Sequence, residues 1–371
     1  MKITPTLVLS LLPFLCSAQL KENEKDSKAE LALAKSPSEG INISAAIKDQ
    51  IFEEKYIPIN GIEHWVTIKG NRTKPVILFL HGGPGSVTSP YSDNIYEEWK
   101  KEYILVTWDQ RGAGRTFGRN APNEVDEDYW IENELSIDQM VKDGVELAEY
   151  LTKQLNKQKV ILIGTSWGSI LGTKMAIARP DLFFAYIGNS QFVDFNENHS
   201  YAYDKVLELA RESDDSTSIQ KLNLLGKPPY KDARSFGQMI RIVKQYEQKD
   251  AIPAPVDWWE IAPEYNNEVD QKNRYNGEDY SFLYFAGHEK MGIKSMARDV
   301  NFNRDAIEFE IPVYLVQGEK DISTASEISS AYFDKISAPD KAYYLIPGAG
   351  HGQNQSVVDM QFQILKEKLR F

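Results

Sequence analysis

Four short apolar runs constrain this chain most: "PVILFL" (75–80), "YILVTW" (103–108), "KVILIG" (159–164) and "FFAYIG" (183–188). Each is almost continuously apolar and ends in, or runs into, a glycine-bearing loop. A strand with one wet face alternates apolar and polar residues. A strand covered on both faces does not, and such strands belong to a mostly parallel sheet flanked by helices. Helical stretches lie between the runs, as that architecture needs. "SIDQMVKDGVELAEYLTKQL" opens with Ser136 and has Gln139 three residues on, the spacing of a capping box. Its apolar side is Met140, Val145, Leu147, Leu151 and Leu155. "SILGTKMAIARP" is a second helix, stopped by Pro180. Upstream, Asn60-Gly61 between "EEKYIPI" and "IEHWVTI" predicts a β-hairpin.

After "GNSQFV" the alternation gives way to a helical, loop-rich, aromatic stretch. Strand pattern returns at "IPVYLVQGEKD" and "KAYYLIPGAGHG". The last segment places Val358, Phe362, Leu365 and Leu369 on one helical face. The expected organisation is an α/β core over 49–190 and 308–371, interrupted by a mainly helical cap over 191–307, between the sixth and seventh main strands. No internal repeat is visible.

The N-terminus carries a different signal. Lys2, the apolar "ITPTLVLSLLPFL" and small residues at Cys16 and Ala18 predict an export signal over 1–18, cleaved after Ala18. The run is too short for a comfortable membrane span, so no stable span is expected after cleavage. Lipid attachment at Cys16 is the alternative. Residues 19–48 are polar and charged and read as a flexible leader. The expected destination is the periplasm or the exterior. Cys16 is the only cysteine, so cleavage would leave no thiol, and any nucleophile must be a hydroxyl or a carboxylate. The net charge is −12 with no Lys/Arg run, so no nucleic-acid partner is expected. The sequence sets no oligomeric state.

The chemistry centres on "GTSWG". Ser166 falls between the strand "VILIG" and the helix "GSILGTKMAIA", with Gly164 and Gly168 two residues away on either side. A nucleophile on so sharp a strand-to-helix turn needs small neighbours at those two positions. A serine also needs a base, and the base an orienting acid. Of five histidines, only His351 follows the serine in a loop just after a late buried strand. His199 and His288 fall in the insertion, where a packing or surface role is expected. The acid should end the preceding strand, which offers Asp321, with Glu319 as the fallback. An oxyanion needs backbone donors. Trp167 follows the nucleophile, and "HGGPG" (81–85) follows the third strand, with Gly83 the candidate donor and Gly82 next. In "WDQRGAGRT", Asp109, Arg111 and Arg115 are expected to brace loops rather than bind substrate. No HExxH, CxxC, GxGxxG or Walker spacing occurs, so neither a metal nor a cofactor is expected.

In order, "HGGPG", "DQRGAGRT" and "GTSWGS" resemble the proline iminopeptidase group of α/β-hydrolases, from about Tyr56 to the C-terminus outside the insertion. The resemblance implies an α/β-hydrolase fold with a helical cap. It implies a triad of Ser166, Asp321 and His351, and oxyanion donors at Gly83 and Trp167. It also implies removal of an N-terminal residue, often proline, from a short peptide. Cap carboxylates would bind the free amine and aromatics would hold the ring. Candidates are Glu197, Glu278, Trp258 and Trp259. Trp259-Glu260 is followed by Ile261, where the family's segment has glycine. A small ester, lactone or amide is therefore the alternative substrate for the same machinery. A binding protein that kept the fold is a third reading. It gives no reason for a base and an acid in the right order.

Overall fold

The computed structural model describes residues 49–369; the expected export signal over 1–18 and the expected leader over 19–48 lie outside them. Strands β1 (Gln50–Ile59) and β2 (Ile62–Asn71) form the expected hairpin. Asn60 and Gly61 take φ of 44° and 84°, the two left-handed residues that a tight hairpin turn demands. The remaining strands are β3 (Val76–Leu80), β4 (Ile104–Trp108), β5 (Val160–Thr165), β6 (Phe183–Asn189), β7 (Val313–Gly318) and β8 (Lys341–Ile346). They make one sheet in the order β1-β2-β4-β3-β5-β6-β7-β8. β2 meets β1 and β4 antiparallel; from β4 to β8 every pairing is parallel.

The apolar runs have their explanation in the two faces of this sheet. Along β3, Leu78 and Leu80 join one core cluster, while Ile77 and Phe79 join the other. Helices of seven or more residues are labelled α1 (Gly114–Asn120), α2 (Ile137–Leu155), α3 (Trp167–Ala178), α4 (Phe195–Glu212), α5 (Ser216–Leu225), α6 (Ala233–Asp250), α7 (Glu268–Ala286), α8 (Ser326–Lys335) and α9 (Gln355–Lys368). Met140, Leu147 and Leu151 of α2 and Ile170, Leu171 and Met175 of α3 cover the first face. Val357, Val358, Ile364 and Leu365 of α9 cover the second. Each such side chain contributes about 1.5–3 kcal/mol on burial, which is why strand and helix positions facing these layers are apolar. Ser136 caps α2 by accepting the Gln139 N–H. The reciprocal half of the capping box is missing, because the Gln139 side chain donates instead to the buried Asp143.

Helices α4 to α7 lie between β6 and β7. Each starts on an acidic or amide cap: Asp194, Asp215, Asp232 and Asn267 accept the N–H of Glu197, Ser218, Ser235 and Asp270. Arg115 of α1 ties this layer to the sheet. Its guanidinium pairs with both oxygens of Asp270 at 2.8 Å and lies over the rings of Trp65 and Tyr265. Trp65 donates its indole N–H to the Tyr265 hydroxyl at 2.9 Å. The segment leaving α6 is moored twice more. The Ile252 N–H donates to the Gly348 carbonyl, and the Ala262 N–H to the Pro90 carbonyl. Among the described residues no helix is long and apolar enough to cross a membrane.

The brace at Arg115 predicts a graded loss. Arg115→Ala should lower unfolding stability by about 2 kcal/mol, because it strands Asp270 and uncovers two rings. Arg115→Lys should recover only part of it, since the fork and the stacking both need the planar group. Urea denaturation followed by tryptophan fluorescence measures both.

Candidate active site

The strand-to-helix turn at the end of β5 sets the geometry. Ser166 is held at φ 53° and ψ −118°, a conformation that a residue with a side chain rarely adopts. The flanking glycines are required sterically. A Cβ on Gly168 would lie 2.0 Å from the Leu80 carbonyl oxygen, and one on Gly164 would lie 2.5 Å from the Gly168 oxygen. The turn is fastened by the Ser166 N–H to the Asn189 carbonyl at 2.9 Å. The Ser169 hydroxyl donates to the Ser166 carbonyl at 2.6 Å and accepts the Phe192 N–H at 2.9 Å. The elbow and the start of the insertion are thereby tied together.

Loops after β7 and β8 bring the other two groups. His351 Nε2 lies 2.8 Å from Ser166 Oγ, and Nδ1 lies 3.1 and 3.0 Å from the two oxygens of Asp321. His351 keeps 21% of its side-chain surface exposed and Asp321 none. Asp321 also accepts from the Thr324 N–H, the Thr324 hydroxyl and the Gln317 amide. Burial would raise the Asp321 carboxyl. The facing imidazole and these hydrogen bonds outweigh it and hold the group below its ordinary value. Burial would likewise lower His351, but the Asp321 charge and hydrogen bond carry it above 6.5. With Nδ1–H fixed on the carboxylate, Nε2 is free to take the serine proton. Glu319, the fallback acid, accepts the Gly348 N–H instead.

The "HGGPG" loop closes over the serine. A Cβ on Gly82 would lie 3.4 Å from the Ser166 Cβ. Trp167 is the first residue of α3, where a helix leaves its N–H groups unpaired. Among the described residues, neither the Gly83 N–H nor the Trp167 N–H has a protein acceptor. Gln110 locks the surrounding motifs together. Its N–H donates to His81 Nε2 and its amide to the His81 carbonyl, while its amide oxygen accepts the Trp167 indole N–H at 2.9 Å. Burial holds His81 at about 4, so the ring is neutral and Nε2 can accept.

A family model described as alpha/beta hydrolase fold matches residues 75–354. The chain belongs to the α/β-hydrolase fold family. It is similar to a probable aminopeptidase, YbaC, of Bacillus subtilis, at 25% identity over 311 residues, or 82% of this chain and 92% of that protein. It is also similar to a proline iminopeptidase of Clostridioides difficile, at 33% identity over 143 residues, or 37% of this chain and 43% of that one. Among solved structures, a proline iminopeptidase of Mycobacterium smegmatis aligns with a TM-score of 0.57 at 16% identity, over 85% of this chain and 98% of the other, which shows the shared fold.

The residues around the centre of this α/β hydrolase divide. Glu278 of α7 accepts the Ser86 hydroxyl at 2.8 Å, against the "HGGPG" loop, and burial raises its carboxyl. The other three candidates make their contacts elsewhere. Glu197 is an exposed residue in the first turn of α4. Trp258 is buried among Phe79, Tyr96 and Val357 on the far face of the sheet. Trp259 is 44% exposed and meets the edge of Tyr91. Phe285 lies edge-on to Trp167 at 5.8 Å, with Phe192, Phe195 and Phe236 around it. His199 packs within that cluster and burial holds it at about 3, a neutral packing residue as expected. Arg111 braces too, forking Asp143 at 2.6 and 3.1 Å. Asp109 accepts from Ser89 and the Arg115 N–H, and burial raises it to about 6.

One residue escaped the sequence reading. Glu247 of α6 is buried, and its carboxylate accepts the backbone N–H groups of His351 and Ile322. It lies four residues after Val243 and eleven after Phe236, on the buried stripe of its helix, and a charge there was the available signal.

The elbow predicts that Gly168→Ala lowers stability by about 2–3 kcal/mol, because the methyl meets backbone that cannot step aside. Ala at the open turn Gly226, where a Cβ meets nothing but φ is 70°, should cost about 1 kcal/mol. Parallel thermal and urea melts of the two variants test the difference.

Proposed function

We propose that this protein is a serine hydrolase that releases the N-terminal residue of short peptides through an acyl-enzyme. The observation that carries the reading is the hydrogen-bonded series Ser166–His351–Asp321 on a strained elbow. The likeness to a probable aminopeptidase over 92% of that protein's length supports the substrate class. Ser166 Oγ attacks the carbonyl while His351 Nε2 takes its proton. Asp321 holds the imidazole in the needed tautomer and stabilises its charged form. The oxyanion forms against the N–H groups of Gly83 and Trp167. The proton then goes from His351 to the leaving amine. Water attacks the acyl-enzyme with His351 again as base; the bond to Oγ then breaks, His351 returns the proton to Ser166, and the free residue departs. In this reading Glu278 meets the substrate amine, which its position against Ser86, beside the "HGGPG" loop, supports.

A substrate panel tests this: arylamides of proline and alanine, peptides with free and blocked N-termini, and small aryl esters. Cleavage of the free-amine compounds supports the aminopeptidase reading; cleavage of the esters alone replaces it with the esterase one. Ser166→Ala should lower kcat by about 10⁵- to 10⁶-fold, and turnover that survives it overturns the nucleophile assignment. Glu278→Gln should raise KM for free-amine substrates and leave blocked ones unchanged.

The pH dependence has a definite sign. The base works as neutral imidazole, so kcat/KM falls as pH drops through the His351 pKa. Because Asp321 carries that pKa above 6.5, the acidic limb should be centred above 6.5, and Asp321→Asn should move it down while cutting kcat. We also propose export with cleavage after Ala18, on the strength of Lys2, the apolar run and the small residues at Cys16 and Ala18. N-terminal sequencing of the mature chain should then begin at Gln19; a chain retaining Cys16 with a lipid overturns it.

A further inference from the structure

The mechanism above leaves one buried carboxylate beside the site unused. Glu247 is 8% exposed and stands near the end of α6, on the inserted layer rather than on the sheet domain. Its two oxygens serve two different loops. Oε1 accepts the His351 N–H at 2.7 Å, and Oε2 accepts the Ile322 N–H at 3.0 Å. Ile322 directly follows Asp321, so one carboxylate holds the backbones that carry both the base and its acid. The fit is close. A Cβ on Gly350 would lie 2.8 Å from the Ala251 Cβ and 3.2 Å from Glu247 Oε1, so the histidine loop and the end of α6 meet without spare room. The Ile252 N–H to Gly348 bond fastens the same two segments a few residues on.

Burial and the neighbouring Asp321 charge raise the Glu247 carboxyl, against which the His351 imidazole and the two backbone donors favour the ionised form, which only accepts. The groups facing His351 are Asp321 from the loop after β7, Glu247 and Lys244 from α6, and the Ser166 hydroxyl. Tyr343 of β8 lies within reach of Asp321. The imidazole thus has two carboxylates and one cation around it.

We propose that Glu247 is a positioning residue of this site: from the insertion it pins the backbones of the base and the acid, and it adds a second negative charge beside the imidazole. The inference rests on the acyl-transfer reading of Ser166, His351 and Asp321. It makes turnover depend on how the inserted layer is seated, since a shift of α6 releases both loops together.

Glu247→Gln keeps the shape, removes the charge and can accept only one of the two N–H groups. Glu247→Asp keeps the charge and shortens the reach. In Glu247→Gln, kcat should fall about 10- to 100-fold with KM nearly unchanged, equally for free-amine arylamides and neutral aryl esters. The acidic limb of kcat/KM, and the His351 imidazole titration followed by NMR in the intact protein, should both move to lower pH. Glu247→Asp should lose kcat while its acidic limb stays in place. The NMR titration needs no substrate, so it reads this proposal even if the peptide reading fails. An unmoved titration in Glu247→Gln overturns the proposal. So does a loss confined to KM of free-amine substrates, which would make Glu247 a ligand of the substrate amine. Should Glu247→Gln not fold, Glu247→Asp decides: wild-type kcat in that variant overturns the pinning role.

Discussion

Everything at this site depends on the near-contact of two backbones, the end of β3 and the first turn of α3. Gly168 has no side chain because the Leu80 carbonyl occupies its place. That contact lets α3 start directly behind β5, and it forces Ser166 into a left-handed backbone conformation that lifts its side chain off the sheet. The same contact sets the "HGGPG" loop, which begins one residue after Leu80, against the serine. Ser166 and the glycine loop are therefore placed by one steric fact. The histidine and the aspartate come later in the chain and are brought in by parallel strands β7 and β8.

The polar groups around the elbow form two separate supports. On one side Gln110 joins His81 and Trp167, so three sequence motifs become one buried unit. On the other, Asp321 is satisfied by Thr324, Gln317 and His351. Each support satisfies buried groups that would each cost about 1–3 kcal/mol if left unpaired. A hydroxyl, an imidazole and a carboxylate can then be held in line by protein groups.

The fold was legible because strand burial writes itself locally. "VILFL" and "ILVTW" are apolar throughout because both sheet faces are covered, and Asn60-Gly61 marks its hairpin without help from the rest of the chain. The serine, aspartate and histidine were legible because each closes a strand of known order. What failed to show was the long-range pairing. Glu247 meets His351 across 104 residues and Gln110 meets Trp167 across 57, and neither partner alters the local pattern of the other. The tryptophans misled for the opposite reason. Trp258 and Trp259 have aromatic character that suits a pocket, yet one serves the core under the far face and the other lies half in water beside Tyr91. Composition names what a residue can do, and only the crossing of chains decides where it does it.

The inserted layer is fixed at several abutments and not along one edge. Arg115 bolts it to β2 and α1, Glu247 and Ile252 bolt it to the histidine loop, Ala262 holds to Pro90, and Ser169 holds its first residues at the elbow. A roof on so many piers shares its load, so a shift at any one of these contacts strains the bonds at the others.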